Sequence, residues 1–286
     1  MKVDVFNVEG KKIKQIELPS YFNLPYREDL ISKVYEALKF NAMKPYGSYI
    51  LAGKETSASG KVRHRRRKYR SHYGRGISRV PRKILSRRKP QGFYWVGAFI
   101  ASARGGHRAH PPRPNKRKRK INKKEKFLAL LYALSAIANK DFVINRYERL
   151  KERKEKINLN FPIVIDGLSN LKKVKEIKQV LAKIFSPIVD VIFKQKKVRA
   201  GKGKRRGRRY KSSAGLLLVI GKDEMPKYKT LAIDIVEANK LAIKHLATGN
   251  QPARLTAFTL KGLKELDERI KQQAEKLKIN LDMLKF

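Results

Sequence analysis

A chain of 286 residues with 70 Lys+Arg against 24 Asp+Glu carries a formal net charge of +46, a density of like charge that requires a polyanionic partner. Because 41% of its residues are hydrophobic, it holds enough apolar side chains for a packed core, which excludes a wholly disordered basic tail. The absence of cysteine excludes disulfide frameworks, thiolate zinc sites and cysteine nucleophiles.

In chain order, Met1-Lys2-Val3-Asp4-Val5-Phe6 alternates polar and apolar residues as a strand does, and it lacks the apolar stretch of a signal peptide. Leu30, Ile31, Val34 and Leu38 recur at helical spacing after the start signals Asn23 and Pro25, which predicts a helix over about 27–42. From Thr56 to Lys124 there is no acidic residue and there are 24 Lys/Arg. The longest nearly apolar stretch, Phe93 to Ala103, is far shorter than the roughly 18 residues that span a bilayer. A second helix is predicted from Asn122, which stands in capping-box spacing to Glu125. Phe127, Leu130, Leu131, Leu134, Ile137 and Ala138 form its apolar face.

The second half alternates. Pro162-Ile163-Val164-Ile165 predicts a strand, Leu171, Val174, Ile177, Leu181 and Ile184 a helix, and Ile188 to Phe193 a further strand; this order implies a parallel sheet. Leu216 to Ile220 and Ile233 to Val236 are apolar runs expected of strands buried on both faces. Between Val191 and Lys222 there is again no acid, with 12 Lys/Arg. From Gly262, Leu263, Leu266, Ile270, Ala274, Leu277, Leu281 and Leu284 form a stripe that fits a helix lying on its own core or docking a neighbouring protein. The fold class expected is α/β: one three-layer domain with a mainly parallel central sheet, spanning about 1–55 and 123–286. A long extended basic loop, about 56–122, is inserted into it, and a second basic hairpin is expected at about 194–213.

A charge run is commonly a solvated face, but this one is internal, so it must leave the body and return to it. It is rich in arginine, which forks onto phosphates and stacks on bases, and it is interleaved with Tyr69, Tyr73, Phe93, Tyr94, Trp95 and Phe99. The predicted RNA-binding set in the loop is Arg63, Arg65, Arg66, Arg67, Lys68, Arg70, Arg75, Arg79, Arg82, Lys83, Arg87, Arg88, Arg104, His107, Arg108, His110, Arg113, Arg117 and Arg119. In the second hairpin it is Lys196, Lys197, Arg199, Arg205, Arg206, Arg208 and Arg209. The loop is expected to be disordered until RNA orders it, since it cannot bury a core of its own.

Rival chemistry finds little support. Gly201, Gly203 and Gly207 fit neither nucleotide-loop spacing, and they precede a strand instead of following one. His107 and His110 have a metal-like spacing but no Cys, Asp or Glu nearby to complete a shell. His245, in a helical segment, is read as a core or capping residue. Asp166 and Asp234 lie near strand ends, where α/β enzymes place catalytic acids, so an RNA-modifying α/β enzyme with a basic RNA-binding insertion is the alternative function. A DNA-compacting protein is a third reading, and it would hardly need the long aromatic-bearing loop.

The stretches Tyr73-Gly74-Arg75-Gly76-Ile77-Ser78-Arg79-Val80-Pro81-Arg82, Gly105-Gly106-His107-Arg108-Ala109-His110-Pro111-Pro112 and Ile121-Asn122-Lys123-Lys124-Glu125 resemble the large-subunit ribosomal protein four family, best in its archaeal and eukaryotic branch. Val236-Glu237-Ala238-Asn239 and Arg254-Leu255-Thr256-Ala257-Phe258-Thr259 match that branch as well, so the resemblance covers nearly the whole chain. It implies a non-enzymatic structural constituent of the cytoplasmic large ribosomal subunit, without cofactor, metal, membrane or small-molecule substrate. Ribosomal RNA, other large-subunit proteins and the nascent peptide would be its partners. The family's glycine-arginine element maps onto Gly74, Gly76 and Arg79, which implies that Arg70, Ser71, His72, Tyr73, Gly74 and Arg75 form the loop tip lining the peptide exit tunnel. The sequence departs from the family pattern in extra basic residues over Lys83 to Pro90 and extra aromatic ones over Phe93 to Ile100.

Overall fold

The structure is a computed structural model that describes residues 1–49, 58, 74, 76–78, 80–88, 92–98, 110–114, 118–157, 159–171, 173–193, 196–211, 213–224 and 232–280. In chain order its elements are β1 (Lys2–Phe6), β2 (Lys12–Glu17), α1 (Glu28–Ala42), β3 (Arg82–Arg88), β4 (Gly92–Gly97), α2 (Lys123–Ala138), α3 (Lys140–Arg146) and α4 (Glu148–Lys151). There follow β5 (Ile163–Ile165), α5 (Val174–Ile184), α6 (Val189–Ile192), β6 (Lys197–Val198), β7 (Tyr210–Lys211), β8 (Leu217–Ile220), β9 (Asp234–Glu237), α7 (Ile243–Leu246), β10 (Thr256–Thr259) and α8 (Leu260–Leu277). The chain divides into two compact units, a body of Met1–Ala42 with Arg119–Phe286 and an insertion of Met43–Lys118.

The body is built on a six-stranded sheet of order β2-β1-β5-β10-β8-β9, parallel except for the β1–β2 hairpin. Alternation along each strand sends side chains to opposite faces. Ile163 and Ile165 pack with Ile177, Leu181 and Ile184 of α5 on one face, whereas Val164 packs with Val34 of α1, Leu131 of α2 and Leu266 of α8 on the other. This is the three-layer α/β arrangement expected. At one edge β2 is exposed and carries Lys12 and Lys14, charges that discourage edge-to-edge pairing. At the other, β9 is only half-buried along its length, so its apolar run marks an edge strand instead of a strand covered on both faces.

The central strand β10 was not foreseen. It has four residues, two of them threonines, and runs directly into α8, so neither length nor a turn signal sets it apart. Conversely, the strand expected over 188–193 is helical. Ile188 and Ile192 are buried four residues apart while Asp190 is exposed, which is helical and not alternating burial, and Pro187 sits in the first turn of the preceding 3-10 segment.

Helix α2 is buried on all sides from Ala129 to Ala138, not on one face, because its run of Leu and Ala lies between α1, α7 and α8. Asn122 caps it by accepting from Lys124 N at 3.0 Å, but Glu125 does not complete a capping box and instead receives Lys33 Nζ of α1 at 2.9 Å. The stripe of α8 lies on its own core, with Leu263, Leu266, Ile270 and Ala274 buried; Leu281 and Leu284 lie outside the described residues. No single helix among the described residues is long and apolar enough to cross a membrane.

Candidate nucleic-acid interface

In the insertion, β3 and β4 form an antiparallel hairpin with a bulge at Leu85, between Ile84 and Ser86. Its base is closed by Ala98 N donating to Pro81 O at 3.0 Å. Trp95 does not present its ring for stacking, as the sequence reading had it: only 9% exposed, it lies under the Arg82 guanidinium, 6.0 Å from the ring centroid. Arg82, also 9% exposed, donates from Nη2 to Ser78 O at 2.9 Å and to Ser78 Oγ at 2.8 Å. These two residues give the hairpin a small core of its own, contrary to the expectation that the loop buries none.

Lys83, His110 and Arg113 are exposed, as is Gly74, which like Gly76 has a positive φ with open space around it. Arg63, Arg65, Arg66, Arg67, Lys68, Arg70, Ser71, His72, Tyr73, Arg75, Arg79, Arg104, His107, Arg108 and Arg117 lie outside the described residues, as do the side chains of Arg87 and Arg88.

The chain leaves the body after Ala42 and re-enters it at Arg119, and the two points are tied together. Arg119 N donates to Asn41 Oδ1 and Asn41 Nδ2 to Arg119 O, both at 2.9 Å, while the Arg119 guanidinium lies over the Phe40 ring at 4.5 Å from its centroid. The backbone and side chain of Arg119 thus fasten the exit to the return.

The second basic segment is a two-stranded ribbon in which Lys197 faces Lys211 and Val198 faces Tyr210. Arg199 N donates to Arg209 O at 2.8 Å, and Gly201 and Gly207 take the positive φ its turn requires. The glycines therefore shape a hairpin end, not a nucleotide cradle at a strand-to-helix junction. Lys196, Lys197, Arg199, Arg205, Arg206, Arg208 and Arg209 are all exposed, and among the described residues none of them pairs with a carboxylate. The Arg209 guanidinium rests over the Tyr210 ring at 5.6 Å.

Comparison with known proteins supplies the deciding observation. Residues 16–269 match the model of the ribosomal protein L4/L1 family. The chain belongs to that family. Among its relatives named large ribosomal subunit protein uL4, that of Nanoarchaeum equitans is 40% identical over 94% of this chain and 98% of its own. That of Methanopyrus kandleri is 37% identical over 94% and 99%, and that of Saccharolobus solfataricus 35% over 95% and 96%.

Members of the ribosomal protein L4/L1 family are structural proteins and not enzymes, and the fold does not bring the two candidate catalytic acids together. Asp166 and Asp234 sit at opposite ends of the parallel strands, one after β5 and the other opening β9, so they cannot share a substrate. Asp234 is bound by Arg254, a side chain 1% exposed that also donates to Gly215 O at 2.9 Å and His245 O at 3.1 Å. His245 is a capping residue, its Nδ1 accepting from Ala242 N at 3.2 Å, and burial lowers its pKa. Asp166 accepts from Gly167 N at 2.9 Å beside a cavity of about 280 Å³ at the carboxyl end of β5. Glu224, also lining that cavity, is engaged by Thr259 Oγ1 and Gly221 N. Among the described residues no three His, Asp or Glu side chains are grouped to hold a metal ion.

Proposed function

We propose that this chain is a structural constituent of the cytoplasmic large ribosomal subunit that binds ribosomal RNA and supports subunit assembly. The insertion and the β6–β7 ribbon carry the RNA contacts, the insertion's tip over Arg70–Arg75 meets the nascent peptide in the exit tunnel, and the body contacts neighbouring ribosomal proteins. The observation that carries the reading is the separation of charge. Two acid-free segments hold more than half of the 70 Lys+Arg, while every one of the 24 acids lies outside them. Cations without carboxylate partners release condensed counterions when they meet phosphate, which is a sequence-independent source of affinity.

The test compares full-length protein with a version in which residues 44–117 are replaced by a short Gly-Ser link, keeping the Asn41–Arg119 closure. Both are titrated across a salt series against large-subunit ribosomal RNA and a length-matched random RNA. Loss of most affinity on deletion, with preference for the ribosomal RNA at moderate salt, is the expected result. Equal binding of both RNAs with a dispensable insertion overturns it.

A further inference from the structure

Among the described residues, every exposed Phe, Tyr or Trp side chain is a tyrosine of the insertion or of the β6–β7 ribbon: Tyr46 and Tyr49 at the start of the insertion, Tyr94 on β4 and Tyr210 on β7. Apart from Tyr210, the described aromatic rings of the body are buried or half-buried. Tyr210 already lies against Arg209, and Tyr94 belongs to a hairpin read above as RNA-binding. Tyr46 and Tyr49 are 77% and 58% exposed, with Met43 close by in sequence at 56%.

Their backbone is held. Between the two tyrosines, a Cβ on Gly47 would lie 2.8 Å from Pro114 Cδ and 3.1 Å from Pro112 O, so the stretch 43–49 is pressed against 110–114 with no room for a side chain. Pro45, Pro111, Pro112 and Pro114 further limit the conformations of both passes. Lys44 and Arg113 lie in these two passes, and neither contains an acid. Largely exposed aromatic side chains, on a stiffened backbone and among cations, match a ligand that is itself flat and attached to phosphate.

We propose that this neck is a base-stacking platform, with Tyr46 and Tyr49 each taking an unpaired RNA base while Lys44 and Arg113 meet the flanking phosphates. The proposal rests on the RNA-binding reading above and adds recognition of base faces to recognition of phosphate charge.

The full-length protein and its Tyr46→Phe/Tyr49→Phe and Tyr46→Leu/Tyr49→Leu pairs are titrated with a large-subunit ribosomal RNA transcript, a random single-stranded RNA and a fully paired RNA duplex, after matched thermal unfolding is verified. The leucine pair is expected to lose roughly tenfold or more on the transcript, since stacking on an aromatic ring contributes that much per base. The phenylalanine pair should bind as the wild type does, duplex affinity should not change, and the salt slope should be the same for all three, because no charge has been removed. Undiminished transcript binding by the leucine pair overturns the proposal, as does an equal loss on the duplex. A leucine pair that binds RNA normally but fails to enter assembled subunits assigns the rings to a protein neighbour and also overturns it. If the wild type does not prefer the ribosomal transcript to random RNA, the ribosomal reading fails, while a leucine-pair loss on single strands still supports stacking.

Discussion

Asn41 and Arg119 exchange two hydrogen bonds of 2.9 Å through the Asn41 amide and the Arg119 backbone, at the point where the insertion leaves and rejoins the body. The pair closes a detour of more than seventy residues that carries much of the chain's positive charge, so it opposes the tendency of like-charged segments to drive the ends apart. Replacing Asn41 with leucine removes both bonds while keeping similar bulk. A loss of about 1–2 kcal/mol in urea unfolding is expected, larger at low salt than at high salt because screening weakens the repulsion the pair resists.

The packing of α8 on β8 yields a sharper expectation. A Cβ added at Gly262 would lie 2.9 Å from both Ile220 C and Val219 O, backbone atoms that cannot swing aside. Gly262→Ala therefore forces the helix away from the sheet although alanine is the better helix former, and thermal unfolding should show destabilisation of about 2 kcal/mol or more.

Trp95 is the only tryptophan, which makes its fluorescence a reporter of the β3–β4 hairpin alone. Its burial under Arg82 predicts emission to the blue of an exposed indole in the free, RNA-less protein. Arg82→Ser, which removes both the cover and the two bonds to Ser78, should shift that emission to the red while far-UV circular dichroism of the body stays unchanged. An unshifted, solvent-like emission in the wild type would show that the hairpin does not form without RNA.

These residues also mark what the sequence made legible. Long periodic segments were readable because burial imposes a period, hence α1, α5 and α8, while the three-residue β5 was readable only as an unbroken apolar run after Pro162. The short central strand β10 and the helical turns at 186–192 were not, since four residues are too few to establish a period and tertiary packing decides them. The candidate interface was legible as charge, because charge without acids survives any fold. The roles of Arg82, Trp95 and Arg119 were not, since an arginine that stacks on a neighbouring ring reads in sequence like one that awaits phosphate.

His245 sets a pH dependence. Burial, reinforced by the nearby Lys244 and Arg254 charges, holds its pKa below the ordinary imidazole value of about 6.5, against an opposing pull from Asp234. The folded state therefore prefers the neutral ring, which caps the turn by accepting from Ala242 N. In the unfolded chain the ring protonates first as pH falls, so the stability this group contributes is full above about 6.5 and declines as pH drops through that value towards the lower folded pKa. Urea titrations between pH 8 and 5 should show this decline in the wild type. His245→Gln, which has no titrating ring, should lose stability at pH 8 and show a flatter profile below 6.5.

The β6–β7 ribbon isolates charge from stability. Arg205, Arg206, Arg208 and Arg209 are exposed, and among the described residues no carboxylate opposes them. Changing all four to glutamine should leave the free protein's unfolding midpoint unchanged or slightly raised, since mutual repulsion is relieved. Binding to ribosomal RNA should nevertheless weaken. If each arginine meets one phosphate, the log-log salt slope should fall by about three units, because each neutralised phosphate contributes roughly 0.7–0.9. A smaller fall counts the arginines that do not reach phosphate. An unchanged slope with reduced affinity would mean that the ribbon acts through the Tyr210 ring instead of its charge.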